Sequence, residues 1–389
     1  ALAAVAAAVA YRVPPSLWEQ TGWAWLLAAL ALLVLVLVPG VGKDVNGSQR
    51  WLPLGPFTLQ PSELGKLALV IYLAGYLVRQ EQEVRSEWSG FLKPMGVVGI
   101  MALLLMAEPD FGATVICAGT AFGMLFLAGA RLGYFLLVLL GALLGLMALV
   151  FSAPYRVQRL TAYTDPWADP FGSGFQLIQS LIAFGRGEWI GVGLGNSVQK
   201  LFYLPEAHTD FVFSIWAEET GFIGALLVIA LYAALIGRIL WIGRAAQLAG
   251  NAFGAYLCYG VSLVFAGQAF VNMGVSSGLL PTKGLTLPFV SYGGTSLIVC
   301  CAMLALVLRV ERELRTMVML LSIILLLYTR SIFIPSSPVR TLVLSSATAL
   351  PLAVYALATE SPRLGIWKAM WLLAAITVAT AGSAVIYGL

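Results

Sequence analysis

The chain has 389 residues, of which 60% are hydrophobic and 10% charged, with a formal net charge of +4 and a mean hydropathy of +0.92. That balance excludes an ordinary soluble domain, and apolar runs near the roughly 20 residues needed to cross a bilayer recur along the whole sequence. No basic cluster with interleaved aromatic residues occurs, which argues against nucleic-acid binding.

Hydrocarbon offers no water to backbone polar groups, so spanning runs must be helices. The fold class is therefore all-α and polytopic. Predicted spans are about 1–10, 21–38, 62–78, 92–107, 111–130, 133–152, 211–236, 253–274, 294–309, 317–335, 341–358 and 367–388. The first is too short to cross alone, and the chain opens at Ala1 without a methionine or a basic leader, so a preceding segment is expected. Cys117, Cys258, Cys300 and Cys301 all lie in apolar runs without metal-ligand spacing and read as small core residues.

Basic residues in short loops set the orientation. Arg12, the group Arg79, Arg85 and Lys93, Arg131, the pair Arg238 and Arg244, and the group Arg309, Arg312 and Arg315 alternate consistently onto one side, which is assigned as cytoplasmic. The opposite face then carries the segments 39–61, 107–110, 153–210 and 275–293, where the unusual chemistry collects. Long structured loops of this kind are more often functional than filler.

In 39–61, Pro61 suits the first turn of a helix. Glu63 and Lys66 follow one turn apart, either as an interfacial ion pair or lining a polar cavity with Arg50. The segment 153–210 holds Arg156, Arg159, Gln176 and Lys200, and a glycine run from Gly191 to Asn196. That run does not follow a strand in a βαβ unit, so it is no nucleotide fingerprint. The only histidine, His208, stands two residues before Asp210, where a polar loop meets an apolar run. An acid is costly there and marks function, although Thr209 or Asp210 placed there also suits a helix N-cap. Glu218 and Glu219, two turns deeper, read either as functional carboxylates or as partners of a buried arginine or amide. The segment 275–293 is too apolar for a solvated loop and too rich in Pro and Gly for a helix. It is expected to be re-entrant, beside the Asp210 loop.

Five motifs, in this order, carry a resemblance: Asn46-Gly47-Ser48-Gln49-Arg50-Trp51, Gln60-Pro61-Ser62-Glu63, Glu108-Pro109-Asp110-Phe111-Gly112, Pro205-Glu206-Ala207-His208-Thr209-Asp210-Phe211, and Pro281-Thr282-Lys283-Gly284 through Ser291-Tyr292-Gly293-Gly294. Over about residues 1–315 the chain resembles the SEDS family of membrane peptidoglycan polymerases, typified by FtsW and RodA, and its Pro-Thr-Lys-Gly-Leu-Thr-Leu-Pro run looks closer to the FtsW branch. The resemblance implies a ten-span helical bundle, here lacking the first span, as a domain over 1–315. Residues 316–389 add about three hydrophobic helices that the family does not match.

It also implies an enzyme of the bacterial cytoplasmic membrane, with an extracytoplasmic active face, that polymerises lipid II into β-1,4-linked glycan. By resemblance Asp210 is the catalytic carboxylate, most simply a general base on the acceptor hydroxyl. A departing pyrophosphate wants fixed positive charge, for which Lys283 is the leading candidate, followed by Arg50, Lys66, Arg156, Arg159 and Lys200. Glu63, Gln176, His208, Thr209, Ser291 and Tyr292 complete the expected substrate-binding set, with His208 as orienter or proton carrier. The family implies a divalent cation, Mg²⁺ or Mn²⁺, and no organic cofactor. Glu108, Asp110, Glu206 and Asp210 are its candidate ligands. Expected partners are a class B penicillin-binding protein and other divisome or elongasome proteins. Two rival readings remain at this stage: a lipid II flippase or other transporter, and a non-catalytic division scaffold.

Overall fold

The computed structural model describes residues 1–45, 48–55, 57–151, 165–172, 174–281 and 284–333. It divides into two units, Ala1–Val310 and Glu311–Leu389. In the first, helices α1 (Leu2–Arg12) and α2 (Pro15–Leu37) are followed by a three-stranded antiparallel sheet, β1 (Lys43–Val45), β2 (Ser48–Leu54) and β3 (Phe57–Leu59). Then come α3 (Pro61–Arg79), α4 (Glu81–Ser86), α5 (Trp88–Ala107), α6 (Phe111–Leu127) and α7 (Leu132–Phe151). After them lie α8 (Phe175–Gly187), α9 (Val212–Leu248), α10 (Ala252–Ser276) and α11 (Gly294–Phe333), the last running on from the first unit. Six helices of the described residues are long and apolar enough to cross a membrane.

The predicted spans recur with two changes. Helix α9 continues past 236 through Arg238 and Arg244, carrying Gly237 and Gly243 within it, and α11 is unbroken between 309 and 317, a stretch without Gly or Pro to stop it. The predicted spans 341–358 and 367–388 lie outside the described residues. The sheet replaces what reads as an irregular loop. Its sequence signal is the Asn46-Gly47 pair between two strand-like runs, the strongest short-range mark of a hairpin. Register pairs Lys43 with Trp51 and Leu52 with Leu59.

Helices α3 and α10 are buried on nearly all sides, with Leu69, Val70, Ile71 and Leu73 of α3 at 0% exposure. Lipid is as apolar as leucine, so such helices associate through close packing rather than water exclusion. Gly260 of α10 shows how: a Cβ there would come within 2.6 Å of Val70 Cγ1 and 2.8 Å of Met124 Sδ. One end of the bundle is basic. There Arg79 Nη1 donates to Glu19 O (3.4 Å) and Arg85 Nε to Ala128 O (3.1 Å), while Lys93 pairs with Glu83 (2.8 Å). The opposite end gathers the sheet, the α5–α6 turn, the segment before α9 and the segment between α10 and α11.

Candidate active site

The segment before α9 is built on one carbonyl. The amides of Thr209, Asp210 and Phe211 all donate to Glu206 O (3.2, 3.1 and 3.3 Å), and Glu206 takes φ +53° to allow it. Thr209 Oγ1 donates to the same oxygen and to Glu206 Oε2 (2.8 Å). Helix α9 starts after Phe211 with no side-chain cap, so the capping role expected of Thr209 or Asp210 is overturned: the tight turn turns both side chains away from the helix amides. The acid that does cap is Asp110, whose Oδ1 accepts from Ala113 N (3.1 Å) at the start of α6.

The segment between α10 and α11 locks onto this turn. Asn272 Nδ2 donates to Asp210 O (2.8 Å) and to Leu285 O (2.6 Å). Ser291 Oγ accepts from Leu287 N (2.8 Å) and donates to Thr209 O (2.5 Å). Tyr292 N donates to His208 O (2.9 Å), and the two rings lie 5.8 Å apart. Asp210 Oδ2 rests against Gly284, where a Cβ would come within 2.7 Å of it, so the glycine makes room for the carboxylate. The chain then descends. Tyr232 Oη of α9 donates to Pro288 O, and Phe289 packs on Phe265 (5.3 Å). Phe265 lies eleven residues before Ser276, about 16 Å down α10 at ~1.5 Å per residue. The segment is thus re-entrant, entering beside Asp210 and leaving beside His208, with its non-helical backbone buried in protein, as hydrocarbon requires.

Arg50, on β2, reaches across to the α5–α6 turn: Nε donates to Glu108 O (3.1 Å) and Nη2 to Pro109 O. Glu63 and Lys66 form a buried pair at 2.7 Å, at 4% and 1% exposure. Among the described residues no hydrogen bond or ion pair joins them to Arg50, which clamps the backbone of the α5–α6 turn. Burial pushes the Asp210 carboxyl up to about 7; the negative charges of Glu206 and Asp110 add to the rise and Arg50 opposes it. Glu108, 1% exposed with both carboxylate oxygens lacking a partner, is pushed up to about 8 by burial and Asp110, again against Arg50.

A second assembly holds the segment that leads to Asp210. At Gly221 (φ 70°, ψ −168°) α9 is broken, and its backbone turns there as only glycine does easily. Phe222 N and Ile223 N donate instead to Glu188 O (2.9 Å) and Trp189 O (3.2 Å). The freed carbonyls of Glu218 and Glu219 accept from Val192 N and Gly193 N (both 3.0 Å). The chain between α8 and α9 is therefore stitched into two opened helical bonds. The Glu218 carboxylate, fully buried, accepts from Ser197 Oγ (2.5 Å), Val198 N (3.2 Å) and Gln199 N (3.3 Å) and faces Arg186 Nη1 (3.2 Å). Of the two readings for Glu218, the geometry supports the structural partner.

Lys200 pairs with Glu219 (2.6 Å) and so is engaged on α9 rather than held out toward a pyrophosphate. Gln176 lies in the first turn of α8, half-buried. Lys283, Arg156 and Arg159 lie outside the described residues. Among the described residues no three His, Cys, Asp or Glu side chains gather as a metal-ligand group. Of the four candidate ligands, Asp110 Oδ1 caps α6, Glu206 Oε2 accepts from Thr209, Glu108 is buried without a hydrogen-bond partner, and Asp210 lies within electrostatic reach of Glu206 and Asp110.

Fold and site together define a multi-pass helical membrane protein with a partly buried carboxylate at one end of its bundle, beside a re-entrant segment. The family model described as cell cycle protein, covering FtsW, RodA and SpoVE, matches residues 1–316, and the chain belongs to that family. It is 56% identical over 308 residues to the probable peptidoglycan glycosyltransferase FtsW of Pseudomonas fluorescens (79% of this chain, 76% of that one). It is 59% identical over 305 residues to the protein of the same name from Nitrosococcus halophilus (78% and 79%). Among solved structures it is similar to a chain of a peptidoglycan synthase complex that coordinates polymerization and crosslinking, at 34% identity and TM-score 0.67 over 80% of this chain and 87% of that one. It is also similar to the rod shape determining protein RodA of Thermus thermophilus, at 30% identity and TM-score 0.57 (80% and 84%).

Proposed function

We propose that this protein is a peptidoglycan glycosyltransferase that polymerises lipid II into β-1,4-linked glycan during septal wall synthesis, with Asp210 as general base. The observation that carries the reading is the Asp210 carboxyl itself, poised near neutrality where the pre-α9 turn meets the re-entrant segment. An ordinary aspartate, with a pKa of about 3.9, is too weak a base for a sugar hydroxyl; one at about 7 is matched to the task. The names of the relatives, and the synthase complex among similar structures, support the same activity.

In this reading Asp210 takes the proton of the acceptor hydroxyl as that oxygen attacks the sugar of a second lipid-linked substrate, whose pyrophosphate leaves. Asn272 holds the Asp210 carbonyl and Ser291 the Thr209 carbonyl against the re-entrant segment, so the carboxylate is aimed before substrate arrives. A divalent cation, which the family resemblance implies, would supply positive charge to the departing pyrophosphate, with Glu108, Asp110, Glu206 and Asp210 as its candidate ligands. The active end lies on the extracytoplasmic side of the bacterial cytoplasmic membrane, opposite the basic end. A class B penicillin-binding protein is the expected partner, crosslinking the strands made here.

The test is lipid II polymerisation by the purified protein in the presence of its transpeptidase partner. Asp210→Asn is expected to lower turnover about 10²- to 10⁴-fold, the range for losing a general base, while the complex still forms. Equal product from parent and variant would overturn the assignment. Movement of labelled lipid II across vesicles without glycan would favour a transporter.

A further inference from the structure

The stretch stitched into α9 is polar in its backbone and apolar at its tip. Trp189, Ile190 and Leu194 are 70%, 78% and 73% exposed, on a segment that sequence reading assigns to the aqueous side. Their level relative to the bilayer follows from α9. Phe222 N and Ile223 N donate to the carbonyls of Glu188 and Trp189, and the rings of Trp189 and Phe222 meet edge-on at 5.5 Å. Trp189 therefore sits level with the first turn after the break.

That turn has to lie in hydrocarbon. The uncharged run 220–237, between Glu219 and Arg238, is about 27 Å long at ~1.5 Å per residue. The bilayer core it crosses is about 30 Å thick. No length is left over, so with Arg238 stacked on Trp241 (4.4 Å) at the far boundary, Phe222 and Ile223 lie just inside the near one. Both are more than half exposed, as is Leu226 one turn deeper, so this face of α9 meets lipid. The apolar tip is a sideways continuation of that face. Glu188, also exposed, opens the segment at the headgroup level, while beyond the tip Asn196 is bonded to Val192 O and Lys200 to Glu219.

We propose that the segment 188–194 is inserted into the membrane, with Trp189, Ile190 and Leu194 in the boundary between headgroups and acyl chains of the leaflet at the Asp210 end. Tryptophan is favoured at that depth because its ring is apolar and its N–H is wet. Insertion is eased because α9 satisfies four of the loop's main-chain groups at the break, Glu188 O, Trp189 O, Val192 N and Gly193 N. The occupant of this surface is phospholipid, held against an element that ends about a dozen residues before the candidate catalytic turn. The inference stands whether or not Asp210 is the base.

The test compares the parent with Trp189→Phe, a variant that keeps an aromatic ring against Phe222, in nanodiscs of phosphatidylethanolamine and phosphatidylglycerol without any partner protein. The difference in tryptophan emission isolates Trp189. Lipids brominated near the headgroup end of the acyl chain are expected to abolish most of it. Lipids brominated near the terminal methyl and aqueous iodide are expected to remove less. Iodide quenching equal to or stronger than bromolipid quenching places the loop in water, free for a protein partner, and overturns the proposal. Quenching by neither places Trp189 inside the protein and overturns it too. A nitroxide carried by Ile190→Cys is a second reading, expected to collide with oxygen more than with a water-soluble nickel complex; the reverse order counts against insertion.

Discussion

Asp210 is held near neutrality by opposing neighbours, and each can be removed singly. Burial and the carboxylates of Glu206 and Asp110 favour its neutral form, and Arg50 favours the ionised one. A general base works only when deprotonated, so polymerisation should rise with pH through an acid limb near 7. Glu206→Gln keeps an acceptor for Thr209 and removes a negative charge, which should move the limb to lower pH. Arg50→Gln removes the opposing cation and should move it to higher pH. Rate–pH profiles of lipid II polymerisation for the three proteins check both signs. An unchanged limb in both variants would mean that another group controls it.

At the scale of elements, the site depends on two joints rather than on any one helix. Asn272 is the first: one amide bonds the main chain on both sides of the gap, so its loss frees the turn from the re-entrant segment. A buried hydrogen bond is worth about 1 kcal/mol net and more when its partners are left unsatisfied. Asn272→Ala is therefore expected to cost roughly tenfold in kcat, with KM changed little, in steady-state polymerisation by protein that remains monodisperse. The break at Gly221 is the second joint. A side chain there meets both the positive φ and main-chain atoms of Trp189, Ile190 and Gly191 at 2.5 Å. Gly221→Leu should lower Tm, because the loop must withdraw and break the four main-chain hydrogen bonds that stitch it to α9, whereas the exposed Gly237→Leu, with open space around it, should not.

For the molecule as a whole, charge is polarised along the bundle. Basic side chains tie one end together, and buried or strained acids collect at the other. The residues around Asp210 belong to the unit Ala1–Val310. A variant ending after Arg315 is therefore expected to retain polymerisation within about threefold in the membrane assay, since among the described residues Asn272, Gly284 and Ser291, which aim Asp210 and its turn, all belong to Ala1–Val310. Loss of activity in a truncated protein that is still membrane-inserted would assign a functional role to residues 316–389.

Much of this was legible in the sequence. Hydropathy alone determined the helical, membrane-spanning class, because in hydrocarbon a backbone that cannot reach water has few ways to satisfy itself. Spacing of basic residues gathered the polar segments at one end, and local motif reading singled out Asp210. The tertiary structure decided what those segments do to each other. It alone assigned the cap to Asp110, turned Arg50 onto the Glu108 and Pro109 carbonyls, engaged Lys200 with Glu219 and opened α9 at Gly221. The cap is local, but the Arg50 and Lys200 pairings and the bonds that open α9 join residues well apart in the chain, settled by which hydrogen-bonding groups come within about 3 Å once the helices have packed. Periodicity reports which face of a helix is apolar, and carries no record of those long-range choices.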